Sequence, residues 1–451
     1  MNCLPPKTHW GLGLALLLGT FAVLDGPVVR VAQAQTAGGP DTLTFARATR
    51  LLLDHNPQLR AARARAQADG QRAQAAALFP NPTLEGSAEH TPRPNGGADD
   101  EWFLTLTQPL NYPGEQRARR QSADAATRAA KARLQETRTA LYRDLRHRYL
   151  AVVAADARRR LLRRYADAVQ QAARAATVRY EEGDLSPVRR TRLQSAEATF
   201  TNDLADAEQQ HRAARRELAA LLRPSRTAQS EGLPYAVVDS LSFRAVAVDA
   251  QAALSVAEAQ RDRLRARRAR VERERRALER TRYQRYPDLS LSAGPKQLST
   301  PGGTALGFTA GLQVELPLWD GGRTAVAAQE GRRSQAEAAL DATRRAVEVD
   351  VRNALDRLRS YRDRLQDTAD SPLRKTDEHL QDALFTYEQG ELTLFELLDA
   401  IEAARQTKLL RVRLTAKYLR ALYDLEAAMG VGPQDAPIVV EGALSPHAPD
   451  L

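Results

Sequence analysis

Two long stretches of helix-forming residues most constrain what this chain can fold into. They run from Gln116 to Val178 and from Arg323 to Phe385 and consist mainly of Ala, Arg, Leu, Glu and Gln, which favour helix. Only the second contains a proline, Pro372. A helix of about 60 residues is about 90 Å long, far more than a globular domain needs. Helices of that length with apolar seams form coiled coils or long barrels.

Landmarks along the chain occur twice. FPNPTLEGSAEH and WFLTLTQPLNYPGE in the first half correspond to YPDLSLSAGPK and FTAGLQVELPLWDGG in the second. The offset is 207 or 208 residues for Pro80 and Pro287, Pro109 and Pro317, Gly114 and Gly322, and Gly183 and Gly390. Such regularity predicts two structural repeats, 35–231 and 232–430, followed by a tail at 431–451.

Each copy also contains two short segments in which apolar and polar residues alternate. Leu84, Gly86 and Ala88 alternate with polar residues in the first of them. This period predicts strands with one face on apolar surroundings and one on water. We expect β-hairpins at 81–109 and 287–317, closed by loops at 90–100 and 297–305. The predicted fold class is therefore mostly α with a small β part, four strands and long coiled-coil helices.

Four strands with open edges cannot stand alone in lipid. If they lie in an outer membrane, several copies must share one closed barrel. Tyr112 and Trp319 follow the strands, where aromatic rings favour the headgroup level. A soluble two-hairpin domain on a coiled-coil stalk would show the same alternation, so the strand pattern alone leaves both interpretations open.

The first 34 residues have the pattern of an export signal. Lys7 precedes an apolar run from Gly11 to Leu24, and Ala32-Gln33-Ala34 supplies the small residues of a cleavage site. A first transmembrane helix is less favoured, because the run is shorter than the ~20 residues needed to span a bilayer. Cys3 precedes the run, so we expect no lipid anchor and a mature chain without a thiol.

The net charge of +10 comes from arginines that are interleaved with acidic residues along the helices. That pattern is typical of solvated helix faces and does not favour nucleic-acid binding. The chain shows no phosphate-binding loop, no nucleophile motif and no metal-ligand spacing. We therefore predict neither an enzyme nor a cofactor.

Two matched turns interrupt the helical stretches. RYEEGDLSPVRRTRL, from Arg179, and TYEQGELTLFELLDA, from Thr386, both place a Gly three residues after a Tyr and a Leu two residues further on. A Gly after a helix is a C-cap, and Ser186 or Thr393 can cap the next helix. Helix-hairpin tips are therefore expected near 183 and 390, with a packing seam in the second copy at Leu394, Leu397, Leu398 and Ile401.

The ordered set of repeats, strand-closing prolines and Tyr-x-x-Gly turns resembles the outer-membrane efflux protein family, the TolC-like channels. The resemblance implies a TolC-like trimeric α/β-barrel, in which a homotrimer forms one outer-membrane barrel and a periplasmic tunnel in contact with outer-membrane lipid. Such a protein is a passive exit duct. An inner-membrane efflux pump delivers the substrate through a periplasmic adaptor protein.

By resemblance, three groups of residues receive roles. The adaptor-docking tips are Tyr180, Gly183, Leu185, Tyr387, Gly390 and Leu392, and the strand-to-helix turns are Pro109, Pro113, Gly114, Pro317, Gly321 and Gly322. Pro would end the strand pairing there, and Gly would permit unusual dihedrals.

The periplasmic entrance would be lined by Glu396 and Asp399, which fall nine and twelve residues after Tyr387. In a trimer, six carboxylates would share one axis. In the alternative, these residues have a structural role only: the tyrosines and leucines pack the hairpins, and the acidic residues form a solvated face.

The first tip has Arg189 and Arg192 at the corresponding positions. We hypothesise that one of them pairs with Glu388, Glu391 or Glu396 and holds the entrance closed. The strand-closing segments and acidic loop flanks are similar to those of the heavy-metal cation efflux branch. Multidrug efflux and type I protein secretion stay open as cargo, and a periplasmic coiled-coil structural or adaptor protein is the alternative from another class.

Overall fold

The computed structural model describes residues 42–94, 96–183, 186–222, 235–370, 376–389 and 391–430. The predicted export signal and the predicted C-terminal tail lie outside these residues.

Helices and strands alternate in both halves of the described chain. The first half contains β1 (Thr42–Leu43), α1 (Phe45–His55), α2 (Pro57–Ala76), β2 (Thr83–Pro92), β3 (Ala98–Leu110), α3 (Pro113–Glu181) and α4 (Pro187–Leu222). The second half contains β4 (Ala236–Val237), α5 (Ala250–Gln260), α6 (Asp262–Thr281), a 3-10 turn (Arg282–Arg285), β5 (Asp288–Thr300), β6 (Gly303–Glu315), α7 (Arg323–Asp370), α8 (Thr376–Glu388) and α9 (Leu394–Met429).

Helix α3 is as extended as its composition predicts, and α7 is shorter than the predicted stretch from Arg323 to Phe385. Helix α3 has 69 residues and is therefore about 100 Å long, because no proline interrupts it after the first turn. Helix α7 has 48 residues and ends at Asp370, and residues 371–375 between it and α8 are outside the described chain. Among the described helices, none is long and apolar enough to cross a membrane.

The four longer strands form one antiparallel sheet in the order β2-β3-β5-β6. The two hairpins lie side by side, because β3 pairs with β5. The predicted loops at 90–100 and 297–305 are too long. His90 still pairs with Asp100, and Gln297 pairs with Leu306, so the turns shrink to 93–97 and 301–302. Polar residues there continue the strands because both faces of the sheet are open to solvent in one copy.

One face of the sheet is apolar and uncovered. Cross-strand register places Leu84 beside Leu106, Leu106 beside Ala293 and Leu291 beside Leu312, so the alternation predicted from sequence does gather apolar side chains on one side. Large exposed residues on this face are Leu84, Trp102, Leu104, Leu106, Leu291, Leu306, Phe308 and Leu312. An apolar surface of this extent is typical of contact with lipid or another protein.

The core runs along the helices. Sequence reasoning missed a two-stranded parallel sheet that packs against it. Strand β1 pairs with β4 in parallel, Leu43 beside Val237. Fully buried Tyr149 of α3 donates a hydrogen bond to the Leu43 carbonyl over 2.9 Å and also contacts the Asp239 carboxylate. Two-residue strands carry no periodicity, so only the packing reveals them.

Candidate functional site

The first tip is a tight reversal between α3 and α4. Helix α3 ends at Glu181, and Gly183 has φ of 86°, a conformation that favours glycine. The Gly183 amide donates to the Tyr180 carbonyl over 3.1 Å, and the Arg190 guanidinium lies 4.5 Å from the centre of the Tyr180 ring. The structure therefore places the helix end where the Tyr-x-x-Gly pattern predicts it. Leu185 lies outside the described residues.

The second tip reverses the chain between α8 and α9. The amides of Glu391 and Leu392 both donate to the Thr386 carbonyl, over 3.1 and 3.3 Å, which closes the end of α8. Thr393 then caps α9 through a capping box, in which its hydroxyl accepts from the Glu396 amide. The predicted seam is confirmed, because Leu394, Leu397 and Ile401 are buried and Leu398 packs against them. Gly390 lies outside the described residues.

Glu396 has a hydrogen-bonding partner at the N-cap of its own helix, Thr393. Its carboxylate accepts hydrogen bonds from the Thr393 amide over 2.8 Å and from the Thr393 hydroxyl over 2.6 Å. These hydrogen bonds stabilise the charged form and hold the pKa of the Glu396 carboxyl below its usual range. Glu396 and Asp399 are both exposed, so two carboxylates of each copy are open to solvent at the start of α9.

Arg192 brings the two tips of one copy together. Its guanidinium lies 4.0 Å from the centre of the Phe395 ring, a cation–π contact between α4 and α9. Arg189 is exposed three residues earlier. Within the described part of one copy, no ion pair joins either arginine to Glu391 or Glu396, and the side chain of Glu388 is not described.

Exposed apolar side chains mark both tips, and sequence reasoning missed them. Val188 at the start of α4 is 74% exposed and Phe385 near the end of α8 is 64% exposed. Tyr180, Tyr387 and Leu392, which the sequence favoured for docking, are instead half-buried. The residues with accessible apolar surface are therefore neighbours of the predicted ones. The signal that could have found them is an apolar residue off the buried seam of its helix.

Further along α4 and α9 from the tips, a charged contact holds these two helices together. Arg405 of α9 forms ion pairs with Asp203 of α4 and, over 2.7 Å, with Glu402 of its own helix. Its guanidinium also lies 4.7 Å from the ring of Phe200. These contacts couple the two helices that follow the tips, so the tips are held at a defined spacing.

At the opposite end of the helices, most of the predicted prolines and glycines have a structural role in the strand-to-helix turns. Pro113 opens α3, where its missing N–H costs nothing, and Pro317 follows β6. Gly321 and Gly322 have φ of 56° and 68°, as predicted for unusual dihedrals. At Gly114, a Cβ would overlap the hydroxyl of Tyr283, so this flexible side chain would have to move.

The expectation that Pro109 ends strand pairing is wrong. It lies inside β3 opposite Ser290, and pairing continues to Leu110 and Leu289. The Pro109 carbonyl accepts a hydrogen bond from the Gln108 side chain over 2.9 Å, and the same amide group donates to the Pro80 carbonyl over 3.1 Å. Pairing of β3 with β2 has already ended at Thr107, so Pro109 has a partner strand on one side only, a position at which proline is tolerated.

A sheet with an apolar face and two open edges, joined to long helices of which α3 reaches about 100 Å, defines a class of channel proteins. Their strands lie in a membrane, and their helices extend into the compartment beside it. A family model described as outer membrane efflux protein matches residues 48–222 and 253–431. Because these residues make up more than half of the chain, the protein belongs to the outer membrane efflux protein family.

Individual proteins show the same similarity. The cobalt-zinc-cadmium resistance protein CzcC of Cupriavidus metallidurans is 24% identical over 429 residues, which cover 93% of this chain and 98% of the relative. The outer-membrane channel OprN has a TM-score of 0.70 at 18% identity, covering 86% of this chain and 90% of OprN. The CmeC outer membrane channel of Campylobacter jejuni has a TM-score of 0.70 at 14% identity, covering 87% of each chain. CusC has a TM-score of 0.69 at 16% identity, covering 86% of this chain and 92% of CusC.

The protein is therefore an outer-membrane efflux channel with a TolC-like fold and a periplasmic tunnel. The fold and the family are those of a duct. The alternative of a periplasmic coiled-coil structural or adaptor protein is set aside by this membership.

Proposed function

We propose that a trimer of this chain is the exit duct of a tripartite system that exports heavy-metal cations. The observation that carries the cargo is the similarity to CzcC over nearly the full length of both chains. The trimer is supported by the four-stranded sheet, whose two unpaired edges need neighbours in lipid. An inner-membrane pump supplies the energy, and a periplasmic adaptor links it to the tips. The division into repeats 35–231 and 232–430 is supported by the two separate matches of the family model.

Deletion of the gene tests the cargo. We expect a deletion strain to lose tolerance to zinc and cadmium by severalfold, to regain it when the wild-type channel is supplied, and to keep its tolerance to drugs. The measurement is the minimal inhibitory concentration of zinc, cadmium, copper and a panel of drugs. Sensitivity to drugs alone would contradict the metal assignment and favour multidrug efflux, and loss of a secreted protein would favour type I secretion.

The same strain tests docking at the tips. The proposed docking surface consists of the predicted residues Tyr180, Gly183, Leu185, Tyr387, Gly390 and Leu392, together with exposed Val188 and Phe385. The double variant Val188→Ser, Phe385→Ser leaves the buried seam intact, so it should reach the outer membrane at the wild-type level. We expect it to fail to restore metal tolerance, because an adaptor would lose its apolar contacts.

The entrance is proposed to close through charges that meet between copies. Arg192 already contacts Phe395 in its own copy, so Arg189 is the better candidate to reach Glu391, Glu396 or Asp399 of the neighbouring tip. Opposite charges at matched tips support this tie, which would be screened by salt.

Single-channel conductance in planar bilayers tests the tie. We expect Arg189→Ala and Glu396→Gln each to raise the conductance severalfold. Glutamine keeps the capping box while removing the charge, so an effect cannot come from a frayed helix. Arg352→Ala, which removes an exposed pair with Glu348, is the control and should leave the conductance unchanged. Wild-type conductance in both tip variants would contradict the proposal.

A further inference from the structure

A cavity opens between two helix ends at the helical end of the sheet. Its volume of about 800 Å³ is within the range of ligand pockets, and it lies between the start of α3 and the end of α6. The lining includes Arg117 of α3, Arg282, Tyr283 and Arg285 of the 3-10 turn, and Tyr286 directly after that turn. The cavity therefore combines positive charge with aromatic hydroxyl groups.

The positive charge of the cavity is not neutralised within one copy. Glu279 also lines the cavity, but its carboxylate already pairs with Arg276 over 2.8 Å. Arg282 has a distant partner, Glu330 at 3.9 Å, and both of these side chains are more than half exposed. In the part of the chain that the structure describes, the other two arginines of the cavity form no ion pair. All three arginines are exposed, so an anion can reach them.

The repeated architecture does not require these arginines. The repeat offset of 207 or 208 residues pairs each of them with an uncharged residue of the other repeat. These pairs are Arg282 with Ala75, Arg285 with Leu78, and Arg117 with Ala325. Both repeats build a connection between strand and helix here, so the geometry of the connection does not explain the three charges. The charges therefore point to a ligand rather than to the fold.

The 3-10 turn that carries two of the arginines is held by its neighbours. A Cβ at Gly322 would lie 2.9 Å from the Gln284 carbonyl oxygen and 3.1 Å from the Arg285 side chain, so the turn before α7 packs closely against it. On the other side, the Tyr112 hydroxyl donates a hydrogen bond to the Pro287 carbonyl over 3.0 Å. The arginines are therefore presented from a fixed backbone, which lowers the cost of binding.

A row of tyrosines connects the cavity with the apolar face of the sheet. The alternation that places Leu106 and Leu110 on that face continues to Tyr112, whose backbone is still extended. The Tyr112 ring lies 5.9 Å from the Tyr286 ring, and the Tyr286 ring lies 6.0 Å from that of Tyr283. Because tyrosine favours the headgroup level of a membrane, this row places the cavity beside the lipid headgroups.

We propose that the cavity binds the phosphate group of an anionic phospholipid in the periplasmic leaflet of the outer membrane. Arg117, Arg282 and Arg285 hold the phosphate, because a planar guanidinium donates two parallel hydrogen bonds to such a group. The Tyr283 hydroxyl is a further donor at the cavity wall. A zwitterionic phospholipid is disfavoured, since the same arginines repel its ammonium group. The proposal rests on the outer-membrane location of the channel and is independent of its cargo.

Lipid binding to the purified channel tests this site. The channel is immobilised in detergent and titrated with radiolabelled phosphatidylglycerol or phosphatidylethanolamine, with and without inorganic phosphate. We expect phosphatidylglycerol to saturate at one molecule per copy and to bind severalfold more tightly than phosphatidylethanolamine. High salt should weaken its binding by screening the arginines, and millimolar inorganic phosphate should not displace it.

Two triple variants separate the cavity from the general charge of the protein. The cavity variant is Arg117→Gln, Arg282→Gln, Arg285→Gln. The control is Arg60→Gln, Arg63→Gln, Arg72→Gln, which removes the same charge from exposed positions of α2. Affinity for phosphatidylglycerol should fall by about fivefold for each arginine removed from the cavity, the factor expected for one basic residue near anionic lipid. The control should bind like the wild type.

Three results would overturn the proposal. Equal affinity of the wild type and the cavity variant would exclude the arginines as contacts, and equal affinity for both phospholipids would exclude a site for anionic lipid. Displacement of the lipid by inorganic phosphate would assign the cavity to a free anion instead. If the cavity variant did not reach the outer membrane, Arg285→Gln alone changes one exposed side chain and should still lower the affinity by about fivefold.

Discussion

Replacing Gly294 by alanine is expected to abolish assembly of the channel in the outer membrane. Gly294 lies in β5, and a Cβ at this position would overlap the carbonyl oxygen of Leu104 in the paired strand β3. The obstacle is backbone, so no side-chain rotation can relieve it. Separation of β3 from β5 would divide the sheet into two hairpins, at a cost of more than about 4 kcal/mol.

The amount of folded channel in purified outer membranes measures this effect. Gly307→Ala is the matched control, since it lies in the same sheet and its Cβ would come no closer than 3.9 Å to the Lys296 carbonyl oxygen. We expect the control at the wild-type level and Gly294→Ala at less than about a tenth of it, because 1.4 kcal/mol already corresponds to a factor of ten. Normal levels of both variants would show that β3 and β5 can separate locally at little cost.

The second large effect is expected for Arg146→Ala. Arg146 of α3 forms an ion pair with Glu426 of α9, and the two side chains are 12% and 2% exposed. The guanidinium also lies 4.5 Å from the centre of the Tyr423 ring. Removing the arginine leaves a buried carboxylate without its partner, which costs about 3–5 kcal/mol. The free energy of unfolding, from urea titration followed by circular dichroism, should fall by this amount.

Two further variants identify the cause. The double variant Arg146→Met, Glu426→Leu removes both charges and should recover most of the lost stability, because an apolar pair of similar volume can replace a buried ion pair. Arg352→Ala breaks an exposed pair with Glu348 and should cost less than about 1 kcal/mol. If the double variant were as unstable as Arg146→Ala, packing of the long side chain rather than its charge would explain the loss.

Residues that repeat at a local period were predicted well. The alternation from Leu84 and from Trp102 placed the right residues on the apolar face, and the spacing of Leu394, Leu397 and Ile401 identified the buried seam of α9. The ends of these elements were less certain, because polar residues near His90 and Gln297 fit either an exposed strand or a loop. Pro109 was misjudged for a similar reason: its effect depends on whether a neighbouring strand is still present beside it.

At the candidate site, a contact between sequence neighbours was predicted, and a contact between distant residues was not. Thr393 was recognised as a helix cap, and the Glu396 three residues later completes a capping box that the sequence already displays. The contact of Arg192 with Phe395 joins residues that are 203 positions apart, and no local pattern announces it. The entrance roles of Glu396, Asp399 and Arg189 stay predictions, because they depend on how the copies meet in the proposed trimer.

The sequence by itself determined the length of α3, the two faces of the strands and the positions of the tips, because each of these follows from neighbours a few residues apart. Only the tertiary structure decided which strands are edges, why Gly294 must be small, and that Arg146 meets Glu426. Those contacts join residues far apart in the chain, up to 280 positions for the ion pair, and chain folding alone brings them together. Helical and strand periods describe which way a side chain faces, and they carry no information about which partner it finds there.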